Sequence, residues 1–140
     1  MFASSVSSSA QGFASAYRSV AVETGVAAAS PHRLVAMLFD GFVDAIAQAR
    51  GALAAGDTQR KGRAVSRAVR IIEEGLRAGL NPQGGQLAAD LGALYSWLSL
   101  RLTHANLNNC DATFQECTRL IEPVRSAWAA IGGAAGAKLQ

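Results

Sequence analysis

The stretch Ser30-Pro31-His32-Arg33-Leu34-Val35-Ala36-Met37-Leu38-Phe39-Asp40-Gly41-Phe42-Val43 decides the fold. Ser30 is a good N-cap, and Pro31 suits the first helical position, where its missing N–H is not needed. From there apolar residues recur at helical spacing in two seams. Leu34, Leu38, Ala45, Ala49 and Leu53 form one, and Val35, Phe39, Phe42 and Ile46 form a second beside it. The pattern predicts a helix running to about Ala55 and stopped by Gly56. One apolar stripe seats a helix in a bundle, so the second is expected to meet another element or a partner.

Downstream, Asp57 or Thr58 can cap a second helix with Val65, Val69, Ile72, Leu76 and Leu80 as its buried stripe. Asn81-Pro82-Gln83-Gly84-Gly85 is the strongest breaker in the chain and reads as a turn. A third helix carries Leu87, Leu91, Leu94, Leu98 and Leu102 on one face, with Tyr95, Trp97 and Leu100 off that stripe. Asn106, Asn108 and Asn109 mark the next turn, and Asp111 is placed to cap a fourth helix. There Cys110, Phe114, Cys117, Ile121, Val124, Trp128 and Ile131 step by fours and threes. Pro123 lies inside this helix and is expected to kink it. Gly132-Gly133-Ala134-Ala135-Gly136 is expected to end order.

Upstream, residues 1–12 are Ser/Ala-rich and read as a disordered lead. Phe13, Ala16, Tyr17, Val20 and Ala21 then repeat at helical spacing until Thr24-Gly25 breaks the pattern. So short a helix persists only if it docks on something. The expected organisation is a lead at 1–12, a bundle domain at 13–131 with its N-terminal cap at 13–24, and a flexible tail at 132–140. The fold class is all-α: an antiparallel up-down four-helix bundle, because the turns are too short for crossovers.

Composition agrees. Of 140 residues 50% are hydrophobic but only 6% aromatic, so the core must be built from Ala, Leu, Val and Ile; three prolines cannot supply the turns of an all-β protein. A net charge of +3 permits an anionic partner without requiring one. Arg60, Lys61, Arg63, Arg67, Arg70 and Arg77 concentrate positive charge on the second helix. A solvated face explains them most simply, and no interleaved aromatic offers a base-stacking platform, so nucleic acid is not an expected partner. Cys110 and Cys117 sit about 10 Å apart along a helix, too far for a disulfide. They read as small apolar residues in a reducing, cytoplasmic setting. The N-terminus lacks a basic and apolar leader, and no apolar run approaches the ~20 residues of a membrane span, so membrane insertion is not expected.

Catalytic groupings are not legible. His32 and His104 lack the Glu-x-x-His spacing of a di-metal bundle, and no phosphate-binding Gly-x-x-x-x-Gly-Lys occurs. Asp40 and Asp44 lie one turn apart and read as a polar helix edge or a hydrogen-bonding pair for a partner. The expectation is a protein that is not an enzyme, with no cofactor, no metal site and no catalytic residues.

Several pieces together carry a family resemblance. These are Ala16-Tyr17, the Ser30–Gly41 stretch, Ile71-Ile72-Glu73-Glu74-Gly75-Leu76, Gly84-Gly85, Leu91-Gly92-Ala93-Leu94-Tyr95, Ala105-Asn106-Leu107-Asn108-Asn109 and Trp128. In order and interval, over roughly residues 16–131, the chain resembles the flagellar secretion chaperones of the FliS family. It departs from them at Cys110, where an acidic residue is usual, and at Ser96-Trp97-Leu98-Ser99-Leu100, which replaces a more polar stretch.

The resemblance implies a cytoplasmic export chaperone around which the disordered C-terminal segment of flagellin wraps, one client per chaperone. It also implies docking at an export-gate component of the flagellar type III apparatus. The N-terminal piece, through Phe13, Tyr17 and Val20, would plug one groove and yield to the client. Val35, Phe39, Phe42 and Ile46 are the expected groove lining. Asp40 and Asn106 are expected to hydrogen-bond client backbone, and Tyr95 and Trp97 to add apolar contact. The competing expectation is a regulatory or adaptor bundle acting through self-association, or through its basic helix face on an acidic partner; oligomerisation without client is compatible with either.

Overall fold

The computed structural model describes the backbone of residues 30–139 and side chains as far as Gly132. The expected lead and cap, with Phe13, Tyr17 and Val20, lie outside the described residues. Helix α1 spans Pro31–Ala54. Helix α2 spans Thr58–Arg70 and passes without a break into a π-helical segment, Ile71–Arg77. Helices α3 (Gly85–Asn108) and α4 (Asp111–Leu139) complete an all-helical bundle.

The helix ends follow local chemistry. Ser30 Oγ accepts from the Arg33 N–H at 3.1 Å, and Pro31 occupies the first turn. Gly56, at φ 71, takes the left-handed conformation that closes α1. Asp57 caps α2 by accepting from the Arg60 N–H at 3.1 Å. In the turn before α3, the Asn81 side chain accepts from the Gln83 N–H at 2.9 Å, and its backbone carbonyl accepts from the Gly84 N–H at 2.9 Å. Asn109, at φ 50, ends α3. Asp111 is not the cap expected of it: it is the first residue of α4, and its carboxylate instead receives Arg50 Nε from α1 at 2.8 Å.

Each helix packs on its sequence neighbours, and α4 closes the square against α1, while α1 and α3 stand diagonally with no close backbone approach. The backbones of α1 and α2 lie together over the greatest extent. Ala45, Ala49 and Ala52 of α1 and Ala64 and Ala68 of α2, all buried, make that approach sterically open. The largest fully buried side chains, among them Phe42, Ile46, Ile71, Ile72, Leu98, Leu102, Phe114 and Ile121, come from all four sides.

This geometry answers the two-seam question. Phe39, Phe42 and Ile46 are 2%, 0% and 1% exposed and belong to the same core cluster as Leu38, Ala45 and Ala49. A helix at the corner of a square buries two flanks, one toward α2 and one toward α4. The second seam is therefore core, with only Val35 left half-buried at its edge.

On α3 the buried set is Tyr95, Leu98, Leu102 and Ala105; Leu87, expected inside, is 69% exposed, and Tyr95, expected off the stripe, is inside. The π-helical segment was not expected. Its wider turn lets Ile71, Ile72, Gly75 and Leu76 all face the core. Helix α4 runs on through Pro123 and past Gly132, where the sequence suggested an end, to Leu139.

Candidate partner-binding surface

The residues singled out in the sequence do not converge on one spot. Val35, Phe39, Asp40, Phe42 and Ile46 ride on α1, while Tyr95, Trp97 and Asn106 ride on the diagonal helix α3. Asp40 is exposed and held by α4: Arg125 Nη2 lies 2.8 Å from its Oδ1, while Arg125 Nη1 pairs with Glu122 at 3.2 Å. Tyr95 is buried, and desolvation pushes its phenol up to about 12, so it stays neutral. Trp97 is half-buried at the core edge, with the Arg101 guanidinium 5.6 Å from its ring centroid. Asn106 is half-buried and lines a groove between α2 and α3.

What the sequence reading missed is the outer face of α3. Leu100 and Leu107 are 71% and 76% exposed, and their seven-residue separation places them on one side of the helix. Ala93, Trp97 and His104 complete the row at alternating steps of four and three. The signal was present, since Leu100 falls outside the α3 leucine stripe, but Leu107 was hidden inside the asparagine-rich end of the helix. Bulky apolar side chains this exposed form a surface suited to another chain's apolar face.

The α1–α4 seam and the start of α2 are tied by polar contacts. Arg50 and Asp111 form a two-point ion pair at 2.8 and 3.1 Å, which raises the Arg50 pKa and lowers that of Asp111 through their mutual hydrogen bond. Lys61, buried despite its charge, donates to the Asn106 carbonyl at 2.9 Å and to the Asn109 side chain, satisfying the C-terminal end of α3. Among the described residues no group of three or more His, Cys, Asp and Glu side chains could hold a metal, and no helix is long and apolar enough to cross a membrane.

Fold and surface thus define a four-helix bundle with exposed apolar side chains on α3. The comparisons with known proteins make the class specific. Residues 13–135 match the family described as flagellar protein FliS, and the chain belongs to that family.

It is 44% identical over 114 residues to the flagellar secretion chaperone FliS of Salmonella typhimurium, covering 81% of this chain and 84% of that one. It is 39% identical over 114 residues to the FliS chaperone of Escherichia coli, with the same coverage of 81% and 84%. With the chaperone FliSB of Pseudomonas aeruginosa it shares 38% identity over 113 residues, covering 80% and 89%.

Proposed function

We propose that this chain is a cytoplasmic, non-catalytic export chaperone. It binds the disordered C-terminal segment of flagellin one to one, prevents premature polymerisation and aids delivery to the flagellar type III export apparatus. The observation that carries the reading is the display of Leu100 and Leu107 on α3, in a family whose relatives are named flagellar secretion chaperones. An amphipathic client segment laid against that face covers side chains the bundle leaves in water.

The magnitudes favour such a surface. Burying ~1,000 Å² of apolar area contributes roughly 25 kcal/mol gross. Ordering a disordered client costs about 2–5 kcal/mol, to which association costs are added. Tight binding that still releases at the export gate needs no covalent or nucleotide-driven step.

The residues have different assigned roles. Trp97, beside the exposed leucines, and Val35, at the edge of α1, contact the client directly. Asp40 and Asn106 hydrogen-bond client backbone, Asp40 by exchanging part of its pairing with Arg125. Phe39, Phe42, Ile46 and Tyr95 shape the surface from beneath. They meet the client only where a covering segment withdraws, and the cap carrying Phe13, Tyr17 and Val20 is the segment assigned that role.

Size-exclusion chromatography of the protein mixed with flagellin tests the reading. A one-to-one complex that disappears when flagellin lacks its C-terminal segment supports it. A complex indifferent to that truncation, or none with the intact subunit, overturns it.

A further inference from the structure

The arginine face of α2 is not used by the function above. Arg63, Ser66, Arg67 and Arg70 fall on one side of the helix and form one wall of an open groove of about 540 Å³, with Asn106 of α3 on the other. No carboxylate lines the groove. Acidic neighbours compensate the wall only in part. Arg67 stands 3.7 Å from Asp44, and Arg70 stands 3.5 Å from Glu74, all four side chains exposed. Among the described residues Arg63 has no carboxylate partner. Pairs that exposed are worth little and yield readily to a competing anion.

We propose that this α2–α3 groove docks an extended, acidic peptide segment of a second protein. At a rise of 1.5 Å per residue, Arg63 and Arg67 are separated by about 6 Å along the helix. Alternate residues of an extended strand project on the same side about 6.6–6.8 Å apart. Two carboxylates at positions i and i+2 of an extended segment therefore meet two successive guanidiniums, each able to pair in a planar, two-point fashion. Arg70 receives a third. Ser66 and Asn106 supply hydrogen bonds to the segment's backbone.

Nucleic acid fits the groove less well. Its lining has no aromatic side chain on which a base can stack, and three arginines neutralise few phosphates. Asn106 is shared with the client contacts proposed above, so the two docking events are tested separately.

The experiment uses the full chain and fluorescence anisotropy with a labelled peptide alternating Glu and Ser. Controls are the same peptide with Gln for Glu and a single-stranded oligonucleotide of equal charge. Saturable binding of the Glu peptide is expected, weakening as salt rises and falling about tenfold or more in the Arg63→Ala, Arg67→Ala double variant. Arg119→Ala, an exposed arginine on α4, is expected to leave it unchanged.

Equal loss with Arg119→Ala would reduce the effect to net charge and overturn the proposal. So would equal binding of the Gln peptide, or tighter binding of the oligonucleotide. The double variant should keep its helical circular dichroism and its flagellin complex. If that complex is absent in the unmutated protein too, the chaperone reading fails while the groove stands.

Discussion

The imidazole of His32 lies flat against the indole of Trp128, with ring centroids 4.6 Å apart and planes within 3° of parallel. Each residue also hydrogen-bonds the other's backbone. His32 Nε2 donates to the Trp128 carbonyl at 2.7 Å, and Trp128 Nε1 donates to the His32 carbonyl at 3.0 Å. The first turn of α1 is thereby locked to α4 across 96 residues of sequence. Gly132 completes the fit, because a Cβ there would fall 1.9 Å from His32 Cε1.

Breaking this clasp should loosen the bundle at one end. Trp128→Ala is expected to lower stability by about 2–4 kcal/mol, from the lost ring contact and a hydrogen bond. Gly132→Ala should lower it as well, by displacing the imidazole. Urea denaturation checks the magnitude, and hydrogen exchange in the first turns of α1 checks the location. An unchanged midpoint in both variants would refute the clasp.

Lys61 is the buried cation of the core rim, and its ammonium satisfies the end of α3. Lys61→Met keeps the aliphatic stem but strands the Asn106 carbonyl. A loss of about 1–3 kcal/mol is expected by chemical denaturation. The nearby exposed substitution Arg60→Met should cost a few tenths at most.

Stability should fall at alkaline pH. Burial raises Tyr95 from 10.0 to about 12 and Cys117 from 9.0 to about 11. Below about pH 8 both groups are protonated in folded and unfolded chains, and their contribution is fully present. Above it the unfolded chain loses these protons first, so stability declines until the folded-state values are passed, by up to about 2–3 kcal/mol per group. Denaturation midpoints measured from pH 8 to 12 should flatten in Tyr95→Phe and Cys117→Ala.

The two cysteines should differ in reactivity. Thr113 Oγ1 donates to Cys110 Sγ at 3.1 Å and holds that thiol below its ordinary pKa, while Cys117 is buried and pushed up. A thiol reagent at neutral pH is expected to modify one cysteine per chain rapidly and the second only on unfolding. Simultaneous modification of both in the native protein would contradict the burial.

Client binding should separate from stability along the lines of exposure. Leu100→Asp with Leu107→Asp is expected to abolish the flagellin complex and leave the denaturation midpoint within about 0.5 kcal/mol per site. Phe42→Ala should act first on stability, costing about 3–5 kcal/mol through a core cavity. A double leucine variant that binds flagellin normally would remove the α3 face from the interaction.

Most helix starts and stops, those of α4 excepted, were legible in the sequence because they act over a few residues. Ser30 before Pro31, Gly56 before Asp57 and Asn81 through Gly85 each satisfy or interrupt hydrogen bonds within one turn of themselves. The four-helix class was legible too, since apolar periodicity and short connectors leave few other arrangements. The exposed face of α3 was legible only in part: Leu100 falls off the leucine stripe, but Tyr95 and Leu87 look equally suited to a core, and nothing local tells them apart.

The sequence by itself therefore determined the four helices, most of their caps, the fold class and the family, all of which depend on near-neighbour chemistry and on order along the chain. The tertiary structure alone decided that the second seam of α1 is core, that Leu100 and Leu107 face water, and that Lys61 is buried against the end of α3. It alone joined His32 to Trp128 and the arginines of α2 to Asn106. Burial is set by which helix stands on each flank, and that follows from packing across tens of residues rather than from the residue or its neighbours in sequence.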